Sequence, residues 1–167
     1  MAKTALDGNH ANTSGELPKV GSKLKDFALV DKALGTKTLK DFQGSQLILN
    51  IFPSVNTGVC SASVRNFNAN SGKLSNTKVL CISRDLPFSQ QAFCAAEGLE
   101  NVIMLSDFRD GQFGKDNGLL LLDSAFQGLL ARCVMVVDRD GGIRYIELVP
   151  DIAQEPNYEA ALNAVQN

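Results

Sequence analysis

A chain of 167 residues, 44% apolar and 20% charged, is long enough for one domain with a buried core and has an ordinary globular composition. Lys and Arg number 16 against 18 Asp and Glu, a net charge of -2; with no basic run in the chain, nothing points to nucleic acid or to an acidic membrane surface. No apolar run approaches the roughly 18 residues of a membrane span, and residues 1–8 lack the apolar core of a signal peptide, so a cytoplasmic location is expected, where thiols stay reduced and cysteines tend to be reactive or buried.

Residues 1–16 are polar and mixed. Asp7-Gly8-Asn9 offers the turn of a small hairpin, with a flexible segment as the alternative. After Pro18, short apolar runs alternate with helical patterns. Residues 47–52, Leu-Ile-Leu-Asn-Ile-Phe, read as a buried strand stopped by Pro53. A loop over 54–58 follows, and a helix is expected to begin between Gly58 and Cys60, with Asn56 or Thr57 as N-cap. Residues 78–83 read as the next strand. Asp85 and Pro87, followed by Phe88, Ala92, Phe93 and Ala96, predict a capped helix that Gly98 ends. Residues 102–105 form a short strand, and the run Leu119-Leu120-Leu121-Leu122 is a core strand or a turn. Strands over 132–137 and 143–148 flank Asp140-Gly141-Gly142, an antiparallel hairpin signal. Residues 157–165 close the chain as a helix. Strands joined by helices imply parallel pairing and the hairpin implies an antiparallel edge. The expectation is an α/β fold with a mixed central sheet covered by helices on both faces, in one domain over 1–167.

The four cysteines are Cys60, Cys81, Cys94 and Cys133. None lies in a CxxC, and no Cys/His cluster has zinc spacing. His10, the only histidine, sits in the polar N-terminal segment, which argues against a Cys–His pair. Cys60 falls at a helix N-terminus, where unpaired backbone N–H groups and the positive end of the macrodipole favour the nucleophilic thiolate. The plain alternative is core packing, since Cys60, Val64 and Phe67 share one helical face. Arg132 opens an otherwise apolar strand, and a guanidinium there needs an anion or carbonyl partner. One such partner is a thiolate together with substrate oxygens. Another is a carboxylate, from Asp107, Asp110 or Asp123.

Pro53, Thr57 and Cys60 stand at the spacing of the PxxxTxxC motif, and the segment 53–60 resembles the active-site motif of peroxiredoxins. The longer string from Asn50 through Ser63-Val64-Arg65 to Phe67-Asn68 is similar to the thiol peroxidase subfamily. So are Cys81-Ile82-Ser83 with Asp85-Leu86-Pro87-Phe88, Phe93-Cys94 with Ala96-Glu97-Gly98, Leu130-Ala131-Arg132, and Glu155-Pro156 with the segment 158–162. The likeness runs from about Gly8 to the C-terminus. It implies a thioredoxin-like fold and an atypical two-cysteine peroxiredoxin. In that class Cys60 is the peroxidatic cysteine and Cys94 the resolving cysteine of the same chain. Thr57 bonds the sulfur and the peroxide, Arg132 stabilises the thiolate and orients the peroxide, and Pro53 limits solvent access. The resemblance further implies a hydroperoxide substrate, thioredoxin as reductant, a homodimer, and chemistry that needs no metal, haem or flavin.

Two positions depart from the subfamily pattern. Asn56 stands where Asp is usual and Asn117 where an aromatic is common. Strand alternation should turn Cys133 away from the face that Arg132 presents, and Cys133 and Cys81 read as buried apolar filler. Three other functions stand as alternatives: a thiol–disulfide oxidoreductase, which the missing CxxC argues against, a redox sensor that uses the same residues through a Cys60–Cys94 disulfide, and a redox-inactive binding module, which the intact Thr57, Cys60 and Arg132 argue against.

Overall fold

The structure is a computed structural model that describes residues 2–165. Strands β1 (Lys3–Leu6) and β2 (Asn9–Asn12) pair antiparallel. Asp7 and Gly8 turn the hairpin with φ of 50° and 81°, the left-handed pair that a two-residue hairpin loop requires. The Asp151 carboxylate accepts from both turn N–H groups, at 3.1 and 2.8 Å, so the N-terminal segment is tied to the far end of the chain rather than left loose.

The remaining elements, in order, are β3 (Leu29–Val30), β4 (Thr36–Lys37), a 3-10 turn (Leu39–Phe42), β5 (Gln46–Ile51), α1 (Gly58–Ser71), β6 (Thr77–Ser83), α2 (Pro87–Glu97), β7 (Ile103–Ser106), α3 (Gln112–Asp116), β8 (Cys133–Val137), β9 (Ile143–Leu148) and α4 (Tyr158–Ala164). The strands after the hairpin form one sheet in the order β4-β3-β7-β6-β5-β8-β9. β5 pairs parallel with β6, and β6 parallel with β7, each through a connecting helix; β8 runs antiparallel to both β5 and β9. This is the expected mixed sheet. All six residues of β5 and all five of β8 are buried, as central strands covered on both faces must be.

Two apolar layers flank the sheet. Leu47, Leu49 and Ile51 of β5 and Cys133, Met135 and Val137 of β8 face one layer, with Phe42 and Phe113 packed over them. Ile48, Val134 and Val136 face the other, under Cys60, Val64 and Phe67 of α1, Phe93 and Cys94 of α2, and Ala161 of α4. Alternation along β8 thus puts Cys133 on the face away from Cys60. Leu119 and Leu121 are buried while Leu122 is exposed, and this leucine run makes only isolated bridges, Leu120 to Leu130 and Thr13 to Leu121.

Two local expectations need correction. β8 starts at Cys133, one residue after Arg132. The N-cap of α2 is Leu86, with Pro87 in the first turn and no side-chain cap; Asp85 is drawn away by donors distant in sequence, described below. Among the described residues no helix is long and apolar enough to cross a membrane.

Candidate active site

At its C-terminal end the central strand β5 passes into a loop at the buried Pro53. Thr57, in extended conformation, is the backbone N-cap of α1. The first bond of the helix runs from Ser61 N–H to the Thr57 carbonyl at 3.0 Å, so the N–H groups of Gly58, Val59 and Cys60 have no acceptor within the helix. Cys60 is the third helical residue and is 0% exposed. Ser63 Oγ donates to the Cys60 carbonyl at 2.7 Å and accepts from Asn50 Nδ2 at 3.2 Å. The first turn is thereby fastened to β5 from below.

Arg132 approaches from the end of β8 and is 1% exposed, the largest fully buried side chain described. Its Nη2 donates to Cys60 Sγ at 3.1 Å. Its Nε donates to the Ile152 carbonyl at 2.8 Å. The Ile152 peptide is itself gripped, because its N–H donates to the Ala5 carbonyl of β1 at 2.7 Å. The third nitrogen, Nη1, is buried with no partner among the described residues, and an unmade bond at a buried guanidinium is costly. The carboxylates that were alternative partners for Arg132 are engaged elsewhere. Asp107 accepts from Phe113 and Gly114 N–H, Asp110 from Gln112 N–H, and Asp123 from Asn12.

The two remaining positions of the motif, Pro53 and Thr57, lie in the segment that leads into α1. Thr57 Oγ1 donates to the Ser54 carbonyl at 3.2 Å. Cys94 lies in the middle of α2 and is half-buried; all four cysteines are free thiols. An ion pair between Arg65 and Glu97 at 3.2 Å joins α1 to α2 on the exposed side.

The surroundings separate the cysteines. Burial pushes the Cys81 thiol up to about 12, against the opposing hydrogen bond from Asn50. Burial also pushes Cys133 upward, with Glu147 adding to it, and raises Cys94, with Lys32 pulling the other way. Only Cys60 receives a guanidinium hydrogen bond among the described residues. Tyr158 closes this side of the site: its ring meets Phe67 edge-on at 5.3 Å and its hydroxyl donates to Glu155 at 2.8 Å. Burial, then the Glu155 partner, raises the Tyr158 phenol, while the Arg132 charge lowers it.

Sequence reasoning named Cys60 and Arg132; the residues alone left their contact open, and the family resemblance implied it. It missed Ile152, whose part is played by a backbone carbonyl and carries no side-chain signal, and it misread Asp85. Asp85 Oδ1 accepts from Ser54 Oγ at 2.7 Å, and Oδ2 accepts from Val55 N–H at 2.9 Å and Ser83 Oγ at 2.7 Å.

Comparison with known proteins gives the same family throughout. The Redoxin family model matches residues 19–162. The thiol peroxidase of Corynebacterium glutamicum is 56% identical over 165 residues, 99% of each chain. That of Mycobacterium tuberculosis is 52% identical over 165 residues, again 99% of each chain. Among solved structures, a peroxiredoxin-like protein from Aquifex aeolicus superposes with a TM-score of 0.91 at 33% identity, covering 98% of this chain and 95% of that one. A thiol peroxidase from Chromobacterium violaceum, at 21% identity and a TM-score of 0.88, shares the fold over 95% of this chain and 91% of its own.

Proposed function

Because this chain belongs to the Redoxin family, in the thiol peroxidase branch of the peroxiredoxins, we propose that Cys60 reduces hydroperoxides and that Cys94 resolves the product within the same chain. One observation carries the reading: a fully buried thiol bonded at 3.1 Å by a fully buried guanidinium whose remaining nitrogen has no partner. Burial of both groups costs solvation. That cost is offset when Cys60 is the thiolate and a substrate oxygen occupies the free donor.

In the first step the Cys60 thiolate attacks the terminal peroxide oxygen. A sulfur–oxygen bond forms and the oxygen–oxygen bond breaks. The leaving alkoxide or hydroxide takes up a proton, and Cys60 is left as sulfenic acid. Negative charge moves from sulfur to oxygen along the reaction axis. A guanidinium with one nitrogen on sulfur and another free beside it is pre-organised for both ends of that shift. Thr57 contributes its hydroxyl to the same axis once substrate displaces the Ser54 carbonyl as its acceptor, and the buried Pro53 keeps water from the sulfur. In the second step the Cys94 thiol condenses with the sulfenic acid, releasing water and forming a disulfide. Thioredoxin, supplying two thiols, then returns both cysteines to the reduced state by exchange. The reading includes a cytoplasmic enzyme working as a homodimer, for which the exposed Leu86 and Phe88 beside the site, 48% and 64% accessible, offer an apolar surface.

Peroxide consumption by catalytic amounts of the protein, with thioredoxin, its reductase and NADPH, tests the function. Sustained turnover that Cys60→Ser abolishes is expected, because an alcohol at neutral pH is a far weaker nucleophile than a thiolate. Thiol–disulfide exchange without peroxide turnover would replace the proposal with an oxidoreductase.

A further inference from the structure

Asp85 collects donors from two parts of the molecule that the proposed cycle must bring together. Ser54 and Val55, which bond its two carboxylate oxygens, belong to the loop that delivers Cys60. Ser83 Oγ, at the end of β6, also donates to it at 2.7 Å. A hydroxyl has one proton, so Ser83 meets its next neighbour as an acceptor. That neighbour is Gln90, whose Nε2 donates to Ser83 Oγ at 3.0 Å and to the Leu105 carbonyl at 3.0 Å. Gln90 is 1% exposed and sits on α2, one turn before Cys94. The chain therefore runs in one direction, from the amide on the Cys94 helix through a hydroxyl to the carboxylate holding the Cys60 loop. Ser106 Oγ holds the Asp85 main-chain carbonyl as well.

We propose that Asp85 is a positioning residue for Cys60, and that the Gln90–Ser83–Asp85 chain latches the Cys94 helix to the Cys60 loop, setting how long the sulfenic acid waits before the disulfide closes. The proposal rests on the two-cysteine reading above. A disulfide needs its two Cα atoms within about 7 Å, and Cys60 and Cys94 are free thiols that each lie inside a formed helix, so the latch acts where opening of at least one segment lets the disulfide close. Hydrogen-bonded chains ending on a charge are stronger than their separate links, which resists opening from the loop side. The other end is weak: Gln90 Oε1 is buried without a partner among the described residues. Opening α2 at Gln90 returns that oxygen to water, so the helix has a built-in place to part from the sheet.

The two steps are separable by rapid quenching. Reduced protein is mixed with one equivalent of hydrogen peroxide, quenched with a thiol trap and a sulfenic-acid trap, and weighed by mass spectrometry. Asp85→Asn is expected to slow loss of the Cys60 thiol by about tenfold or more, because small displacements of a reacting group cost rate steeply. Gln90→Met and Ser83→Ala are expected to speed disulfide formation severalfold. Gln90→Met combined with Ser83→Ala should be no faster than either alone, since both cut the same chain; two unrelated packing defects would instead multiply. If Asp85→Asn does not fold, the Gln90 and Ser83 pair still decides the latch. Disulfide formation at the wild-type rate in Gln90→Met, or independent multiplication in the pair, overturns the latch and leaves the peroxidase intact. A wild-type protein that never forms the disulfide overturns the two-cysteine reading instead, and the latch with it.

Discussion

Replacing Arg132 with Met removes the one cation bonded to Cys60 while keeping an unbranched side chain of similar reach. The lost interaction is a hydrogen bond of 3.1 Å between a guanidinium nitrogen and sulfur, with both residues out of solvent. Hydrogen bonds to charged groups contribute about 1.5–3 kcal/mol. At about 1.4 kcal/mol per factor of ten, the second-order rate of Cys60 oxidation by peroxide should fall roughly tenfold to hundredfold. Two other thiols of the same chain show what burial does without a cation: Cys81 is pushed up to about 12, and Cys133 is pushed upward too. The loss should lie toward the upper end of that range, because in the proposed reaction the substrate also loses its donor. Lys should restore little of the rate, since a point charge cannot hold the Ile152 carbonyl and the sulfur in one plane. Stopped-flow oxidation in a Cys81→Ala/Cys94→Ala/Cys133→Ala background isolates the Cys60 step. An unchanged rate in Arg132→Met would refute the reasoning and make the arginine a structural clamp on Ile152.

Cys94→Ser is expected to consume about one equivalent of peroxide and then stall as Cys60 sulfenic acid or oxidise further; full turnover with thioredoxin would show that another thiol resolves. Cys81→Ala and Cys133→Ala should keep peroxide reduction and lose on the order of 1 kcal/mol each through the space vacated in the core, seen as a lower urea midpoint. Cys81→Ala should also flatten the alkaline loss of stability. The Cys81 thiol rises from an ordinary 9.0 to about 12 in the fold, so the unfolded chain gives up that proton first, and stability falls as pH climbs from the lower value to the higher. Hydrogen exchange on the reduced and oxidised proteins should differ near residues 59–63 or 91–95 and match over β5, β6 and β8; equal protection of both helix segments would mean that no local opening accompanies the disulfide.

The strands that carry the site were legible because they are buried on both faces. β8 is apolar throughout, β5 carries Leu47-Ile48-Leu49 and Ile51 around the polar Asn50, β6 holds the run Val79-Leu80-Cys81-Ile82, and Pro53 and Gly98 mark where an element stops. β3 and β4 have two residues each and α3 has five; elements so short show no period to read. The hairpin turn was legible in Asp7-Gly8, but what anchors it, the Asp151 carboxylate, lies 144 residues away. Asp85 shows the same limit more sharply. An acidic residue ahead of Pro87 fits a helix cap by every local rule, yet Ser54 and Val55, about 30 positions back, supply donors that the fold brings closer. Local patterns find elements; which donor reaches which acceptor is settled by the sheet order.

In the proposed cycle, the reactivity of each cysteine follows from what faces its sulfur rather than from exposure. Cys60, Cys81 and Cys133 are equally buried, and only the first has a cation against it. Cys94 stands between these cases. Its thiol is raised by burial, the largest influence on it, and only partly relieved by Lys32. In the proposed cycle, a thiol raised in this way and held in α2 is a poor nucleophile with little reach toward Cys60. Both obstacles would have one cause, so one motion would remove both. If the α2 segment around Gln90 parts from the sheet as proposed, Cys94 gains water, its proton is lost more easily, and its sulfur is free to travel. The thiol would thus become reactive as it comes within reach. A resolving cysteine reactive inside the closed fold would gain nothing, because in that cycle Cys60 holds no sulfenic acid until peroxide has come and gone.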